Sequence, residues 1–432
     1  MVLPVVVIGD GASAALATVA LSRRGVGPVL LVGAGGAPGL GLAYRTAERT
    51  HLLNSRAATM SADSTRPDAL VDWCRETGRP VEPTAFLPRR RYGRYLATAL
   101  DRAGVHDLVA GRAVAVRPAS GRIDTELADG RRIAGRAVIL APGHGSPAVP
   151  AVPGLRHTPC LVDDPWRPGA LDRAAEADRV LLLGTGLTAV DAALSLHRRH
   201  PDAQLVAVSR HGLLPTAHHA DPAPPVRFAG RPGTLAELLR AVRASIAAGA
   251  DWQGVVDGLR LDADRIWAGL PVTERRRFVA RLDRYWQVHR HRMAPPVAKA
   301  VRNLTDSGAL TVRAGRLARI DPTAGGVVAV TDDGRRLPCG ALVNCTGPGR
   351  WATGTDPLAV SVRQAGLARL DATGTGLYAD PAGRTTPHHP VFVLGPPRLG
   401  GSWETTAIPE IRAQADSIAD AIATAADQRG VA

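Results

Sequence analysis

The chain has 432 residues, enough to bury a substantial core and to predict two domains. Its 45% hydrophobic and 21% charged residues are ordinary for a globular protein, and no apolar run reaches the length of a membrane span, so no membrane partner is expected. The formal net charge is +14, but Lys299 is the only lysine, aromatics make up 4%, and the arginine runs at 89–91 and 275–277 lack interleaved stacking rings. That pattern argues against nucleic acid as a partner and suits anionic cofactors or an acidic substrate.

An apolar run at Val5–Gly9 opens the chain, which predicts no signal peptide and a cytoplasmic protein. It ends in Gly9-Asp10-Gly11-Ala12-Ser13-Ala14, followed by an Ala/Leu-rich helix to about Arg24 and a second apolar run at Val29–Val32. Short alternating strands are expected between Gly111 and Ala137, with turn signals at Ala119–Gly121 and Asp129-Gly130, leading into the buried strand of "AVILAPGHG". A Pro-rich stretch, Pro147–Pro168, is the expected crossing between domains.

The plan then repeats. Val180–Leu183 runs into Gly184-Thr185-Gly186-Leu187-Thr188-Ala189, a helix to about His200 and a strand at Gln204–Val208. After a helical insertion at 231–294 come strands between Leu310 and Leu337, turning at Asp333-Gly334, and then "ALVNCTGPG". Both copies read strand, G-x-G-x-x-A, helix, strand, the unit that places a pyrophosphate at a helix N-terminus. The first glycine permits the tight turn, the second lets phosphate approach the backbone, and the small third residue lets the helix lie on the strand. The expected fold class is α/β: two Rossmann-like dinucleotide-binding domains, three-layered, with mostly parallel sheets, β-meanders and a helical insertion. Boundaries are expected at 1–156 for the first part of one domain, 157–347 for the second domain with its insertion at 231–294, and 348–432 for the return segment.

Where the second unit would meet an adenosine ribose, the strand ends in Ser209-Arg210, a cation in place of an acid. Such an arginine can pair with the 2′-phosphate of NADPH, although a solvated arginine at a strand end would look the same. Gly184, Gly186, Leu187, Thr188, Ser209, Arg210 and Gly347 are the expected NADPH contacts. In the insertion, Phe278–Met293 is read as one helix ended by Pro295-Pro296. Phe278, Leu282, Tyr285, Trp286 and His289 share a face, Arg292 falls on it, Arg290 flanks it, and His291 points away. His289, Arg290 and Arg292 are therefore substrate candidates. Their buried cations require anionic partners: a bound carboxylate, the nicotinamide ribose or phosphates, or an internal salt bridge. His218-His219 has no accompanying ligand set, so no metal is expected, and the four cysteines form no C-x-x-C pair, which argues against a disulfide reductase.

"GLGLAY" (Gly39–Tyr44), "HLLN" (His51–Asn54), "MSAD" (Met60–Asp63), "FLPRRRYGRYL" (Phe86–Leu96), "DDPW" (Asp163–Trp166), "SRHGLLP" (Ser209–Pro215), "WQVHRHR" (Trp286–Arg292) and "LGPPRLGGSWETTAIPEIRAQA" (Leu394–Ala415) follow one another along nearly the whole chain. In these blocks the sequence resembles the bacterial FAD-NAD(P)-binding flavoproteins, relatives of flavin-containing monooxygenases and amino-acid N-hydroxylases. The resemblance implies an FAD domain made of both chain ends, with an NADPH domain inserted between them. Gly9, Gly11 and Ser13 would meet the FAD pyrophosphate, with Ala14, Gly41 and Gly143 in the same site. Asn54 and Met60 would lie near the flavin. Trp403 to Ile408 would cap the isoalloxazine end, with Thr405 or Thr406 capping the helix that follows and Pro409 in its first turn. One departure stands out: Gly33 occupies the position where the family carries a glutamate for the adenosine ribose. Asp10, in the phosphate loop, is not expected to replace it.

The resemblance implies an FAD-dependent, NADPH-consuming monooxygenase that takes a small substrate and O2. It would hydroxylate an amine nitrogen, of an acidic amino acid for example, through a C4a-hydroperoxyflavin, with the chemistry borne by the flavin rather than by a catalytic side chain. The alternatives are a flavin-dependent NADPH oxidoreductase without oxygen insertion and a non-catalytic nucleotide-binding protein.

Overall fold

The computed structural model describes residues 2–33, 38–104 and 106–430. Sixteen strands are present among them. They are β1 (Val5–Ile8), β2 (Val29–Gly33), β3 (His106–Ala110), β4 (Ala113–Ala119), β5 (Arg122–Leu127), β6 (Arg132–Gly135), β7 (Ala137–Leu140), β8 (Leu161–Val162), β9 (Arg179–Leu183), β10 (Gln204–Ser209), β11 (Leu310–Ala314), β12 (Leu317–Thr323), β13 (Gly326–Thr331), β14 (Arg336–Cys339), β15 (Ala341–Asn344) and β16 (Val391–Val393). Two parallel five-stranded sheets result, ordered β16-β7-β1-β2-β3 and β11-β10-β9-β15-β8. The first sheet draws its strands from both chain ends, and the second from the stretch between them. Two antiparallel meanders, β4-β5-β6 and β12-β13-β14, complete the strands.

The central strands are apolar throughout because each sheet is covered on both faces. Alternate residues Val5 and Val7 of β1 pack with the helices Ala12–Arg23, Arg89–Ala103 and Ile408–Gly430. Their neighbours Val6 and Ile8 pack with the first meander and the helix Pro357–Gln364. The second unit repeats this. Val180 and Leu182 face the helices Leu187–Arg199 and Pro295–Asp306, whereas Leu181 and Leu183 face the second meander. Each large aliphatic side chain so buried, such as Leu16, Leu96 or Leu182, contributes about 1.5–3 kcal/mol by leaving water.

Polar contacts lock the two units together. The His51 Nε2 lies 3.0 Å from the Ser195 Oγ, and its Nδ1 lies 3.0 Å from the Thr46 Oγ1. Arg89 pairs with the buried Asp191 at 2.7 Å, and the Trp166 ring lies 5.8 Å from both the His51 ring and the Arg89 guanidinium. On the other side of this junction the His218 Nε2–H donates to the Asn54 carbonyl at 2.9 Å.

The insertion is helical, as its pattern predicts, but Phe278–Met293 is not one helix. Val272–Arg281 and Asp283–Arg290 are separate, joined at Leu282, and the second ends at Arg290. Beyond Arg290 the chain extends, with Met293 bridged to Ala217. The rotation of 100° per residue that placed His291 away from the working face therefore fails at its C-terminal end. His291 turns toward the space between the units instead, and Arg292 is buried elsewhere.

Candidate functional site

The same joint recurs at the start of each unit. Gly9 takes φ +134° and its N–H donates to the Val32 carbonyl (2.8 Å), whereas Gly184 takes φ +121° and donates to the Val208 carbonyl (2.8 Å). A Cβ on either would overlap a carbonyl oxygen of the returning segment, Ala141 for Gly9 and Cys345 for Gly184. Gly11 and Gly186 then cap helices that have no side-chain cap and no acidic residue in the first turn. Both helix N-termini thus keep free N–H groups and a positive dipole end, as an anion site requires.

A cavity of about 1020 Å3 lies between the units. The second loop forms one wall through Gly184, Gly186, Leu187, Thr188, Ser209 and Arg210, with Gly347 beside them. The first unit forms the facing wall through Asn54, Met60 and Gly143, with Trp403, Thr406 and Ile408 of the return segment. Gly143 (φ +75°) and Gly347 (φ +97°) follow equivalent strands, and each has open space where a Cβ would stand.

Gly9, Gly11, Ser13, Ala14 and Gly41 do not line this cavity. The 38–44 segment roofs the first loop: a Cβ on Gly11 would come within 3.3 Å of the Gly41 Cα, and the Gly39 N–H donates to the Asp10 carbonyl at 2.7 Å. Thr405 also lies off the wall. Its hydroxyl donates to the Gly395 carbonyl (2.7 Å) and does not cap the helix Ile408–Gly430, whose Ile411 N–H instead reaches the Ala407 carbonyl (3.0 Å). Thr405 therefore fastens the return loop, while Thr406 and Ile408 meet the cavity and Pro409 sits in the first helical turn.

Of the three substrate candidates only Arg290 reaches the cavity. Its guanidinium is 5% exposed and pairs at 3.0 Å with the equally buried Glu404, whose other oxygen accepts the Trp286 Nε1–H (3.0 Å). Arg292 is held by Asp257 and by the Gln253 Oε1 (2.7 Å). The His289 Nδ1–H donates to the Tyr285 carbonyl (2.7 Å), and the ring lies edge-on to Trp252. Internal salt bridges thus pair both arginines, although the Arg290 Nη2 and the Arg292 Nε make no hydrogen bond of good geometry.

Several wall residues were not singled out by motif. Arg284 and Arg316 join Arg210 and His211 at the end of β10. Desolvation, and then the charges of Arg284, Arg210 and Arg316, hold the His211 imidazole below its ordinary value, and all four residues line the same cavity. Only Arg210 had a sequence signal, its place at the strand end; the others arrive from the insertion and from the turn before β12. His291 also faces the cavity, with burial and then the Arg290 charge pushing it down to about 3, which leaves it neutral at pH 7. Among the described residues no cluster of three His, Cys, Asp or Glu side chains has metal-site geometry, and no helix is long and apolar enough to cross a membrane.

Residues 6–145 match the family model described as FAD-NAD(P)-binding. An uncharacterized protein of Mycobacterium tuberculosis is 25% identical over 405 residues, covering 77% of this chain and 72% of the relative. Among solved structures, the reduced form of an ornithine hydroxylase from Pseudomonas aeruginosa superposes with a TM-score of 0.67 at 16% identity, covering 98% of this chain and 99% of that one. An ornithine N-hydroxylase from Kutzneria, a complex with reduced FAD, NADP+ and L-ornithine, gives 0.67 at 16% identity over 98% and 100%. At these identities the likeness establishes the fold alone, two Rossmann-like units joined as in those hydroxylases.

Proposed function

We propose that this protein is an FAD-dependent, NADPH-consuming monooxygenase that hydroxylates an amine nitrogen of a small substrate. The observation that carries the reading is one cavity shared by both units, which one phosphate loop enters from one side while Asn54, Met60, Gly143 and the N-terminus of the Ile408–Gly430 helix meet it from the other. A nicotinamide held by the second loop would point across that space at a flavin held by the first unit. The solved relatives hydroxylate ornithine, and one of them was captured with reduced FAD and NADP+, which supports the same pairing here.

The residues present fit both groups. Gly186 has open space where its Cβ would be, so a pyrophosphate can approach the Leu187–Arg199 helix N-terminus. Around the first loop, Gly11 and Gly41 approach backbone to backbone, a Cβ on Gly41 falling 2.9 Å from the Gly11 Cα, so no side chain stands in the place of the FAD phosphates, and the 38–44 segment has to part from the loop for them to reach its N–H groups. Ser209, Arg210, Arg284 and Arg316 would take the adenosine 2′-phosphate of NADPH.

FAD, when bound, would supply the reducing and O2-activating chemistry; the protein's part is to orient, to exclude water and to hold charge. The Ile408–Gly430 helix N-terminus offers a positive dipole end to a reduced, anionic ring. The Trp403 ring lies tilted against Trp267 of the insertion at 4.7 Å, and Trp286 donates to Glu404, so the insertion packs on the return segment at this end of the cavity. His291, pushed down to about 3 by burial and then the Arg290 charge, stays neutral at working pH and is too weak a base to take an ammonium's proton, so its part is to offer a neutral hydrogen-bonding group to a substrate nitrogen that arrives deprotonated. Arg290 and Arg292 are already paired, so an amine with no requirement for acidity is the proposed substrate class.

The test is NADPH consumption against hydrogen peroxide release, with FAD added and a panel of amines and amino acids. A substrate is expected to speed NADPH loss while suppressing peroxide. Protein that is colourless and takes up no FAD would overturn the proposal; NADPH oxidation that yields peroxide or a reduced acceptor with every compound would replace it with an oxidoreductase that inserts no oxygen.

A further inference from the structure

Position 33 closes β2 at the carboxyl edge of the first sheet, where dinucleotide folds place the acid that binds the adenosine ribose. Glycine stands there. Its backbone is fixed: Gly33 pairs with Ala110, and its carbonyl accepts the Gly111 N–H at 3.0 Å. A side chain at position 33 would have to start where the Asp10 side chain already is, because an added Cβ would lie 2.5 Å from the Asp10 Cγ and Oδ2. An acid at position 10 and any side chain at position 33 exclude each other.

The second unit shows that contact between these two positions belongs to the architecture. Thr185 follows Gly184 as Asp10 follows Gly9, and Ser209 follows Val208 as Gly33 follows Val32, each in the same strand register. The Thr185 Oγ1 lies 2.9 Å from the Ser209 Oγ. Position 10 therefore points along the strand edge toward the ribose position, not into the phosphate loop as its place in the motif suggests.

We propose that Asp10 is the ribose-binding acid of the first unit, its carboxylate accepting the hydroxyls of the FAD adenosine that residue 33 would otherwise hold. The acid has moved from the end of β2 to the turn after β1, and Gly33 is the accommodation. This inference rests on the proposed binding of FAD to the first unit, and the experiment separates the two.

FAD and FMN affinities are measured by flavin fluorescence quenching on the full-length apoprotein, wild type and variants. FMN lacks the adenosine and serves as the internal control. Asp10→Asn, which keeps the shape and removes the charge, is expected to weaken FAD by about tenfold to hundredfold, the usual worth of a charged hydrogen bond, and to leave FMN within about threefold. Gly33→Glu alone should also weaken FAD, since its side chain collides with Asp10. The exchange Asp10→Gly with Gly33→Glu should restore FAD to within about threefold of wild type. Unchanged FAD affinity in Asp10→Asn, an equal loss of FAD and FMN, or an exchange variant that folds but fails to recover each overturns the inference. Wild-type protein that binds neither flavin overturns the FAD reading itself.

Discussion

If Arg210, Arg284 and Arg316 form the 2′-phosphate site, replacing them should abolish the preference for NADPH over NADH and little else. Arg210 and Arg316 are exposed, so each contact is screened and worth about 0.5–1 kcal/mol. Arg284 is half-buried against the Tyr285 ring, its guanidinium 4.8 Å from the ring centre, and can contribute about 1.5 kcal/mol as a charged hydrogen bond. Together they amount to about 3 kcal/mol, roughly a hundredfold in affinity. The triple alanine variant should therefore bind NADP+ about a hundredfold more weakly by calorimetry and NAD+ within about threefold of wild type. Arg210→Ala alone should lose about threefold to fivefold. Raising the salt concentration should erode the wild-type preference, because two of the three charges are open to screening. Parallel weakening of NAD+ would mean that the arginines support the fold or the pyrophosphate, and an unchanged NADP+ affinity would refute the site.

Two further expectations concern stability. Glu404→Ala strands the buried Arg290 guanidinium and should cost about 3–5 kcal/mol in denaturant unfolding, whereas Arg290→Met with Glu404→Leu should recover most of that loss; equal effects from the single and double variants would contradict it. His51 is 3% exposed, and burial lowers its pKa, opposed by Asp191 and assisted by Arg89 and Arg199. Above pH 6.5 it is neutral folded or unfolded, and stability is flat; below, the unfolded chain takes up a proton that the fold refuses, so stability falls by at most about 1.4 kcal/mol per pH unit. Melting temperature should drop as pH falls from 7 to 5, less steeply in His51→Gln, and an identical slope in the variant would contradict the assignment.

The repeated units are legible in sequence for a physical reason. A parallel strand buried on both faces must be apolar at every position, and the turn after it must place glycine where a carbonyl oxygen leaves no room for Cβ; both requirements act on adjacent residues. Features carried by tertiary approach left no such trace. The face of Phe278, Leu282, Trp286 and His289 has helical spacing, yet the helix breaks at Leu282, where Phe278 packs on Trp267 and Trp403. Packing overrode a pattern that local propensity would have continued. The pairing of Asp10 with Gly33 spans 23 positions, and only the β1–β2 register brings the two together.

The division between legible and hidden parts follows the division of labour in the cavity. The walls proposed to cradle nucleotide come from the repeated unit, and the family match covers one copy of it, residues 6–145. The remaining wall comes from the insertion and the return segment, joined through the Arg290–Glu404 pair, the Arg260–Glu410 pair at 2.5 Å and the Trp267 Nε1–H donated to the Gly400 carbonyl at 2.6 Å. Those three contacts fix where Trp403 and the Ile408 helix N-terminus stand relative to the second phosphate loop. A sequence that kept both glycine loops but changed these partners would retain its nucleotide cradles and present a differently shaped space between them. If the proposed function holds, substrate choice is set where the insertion and the return segment meet.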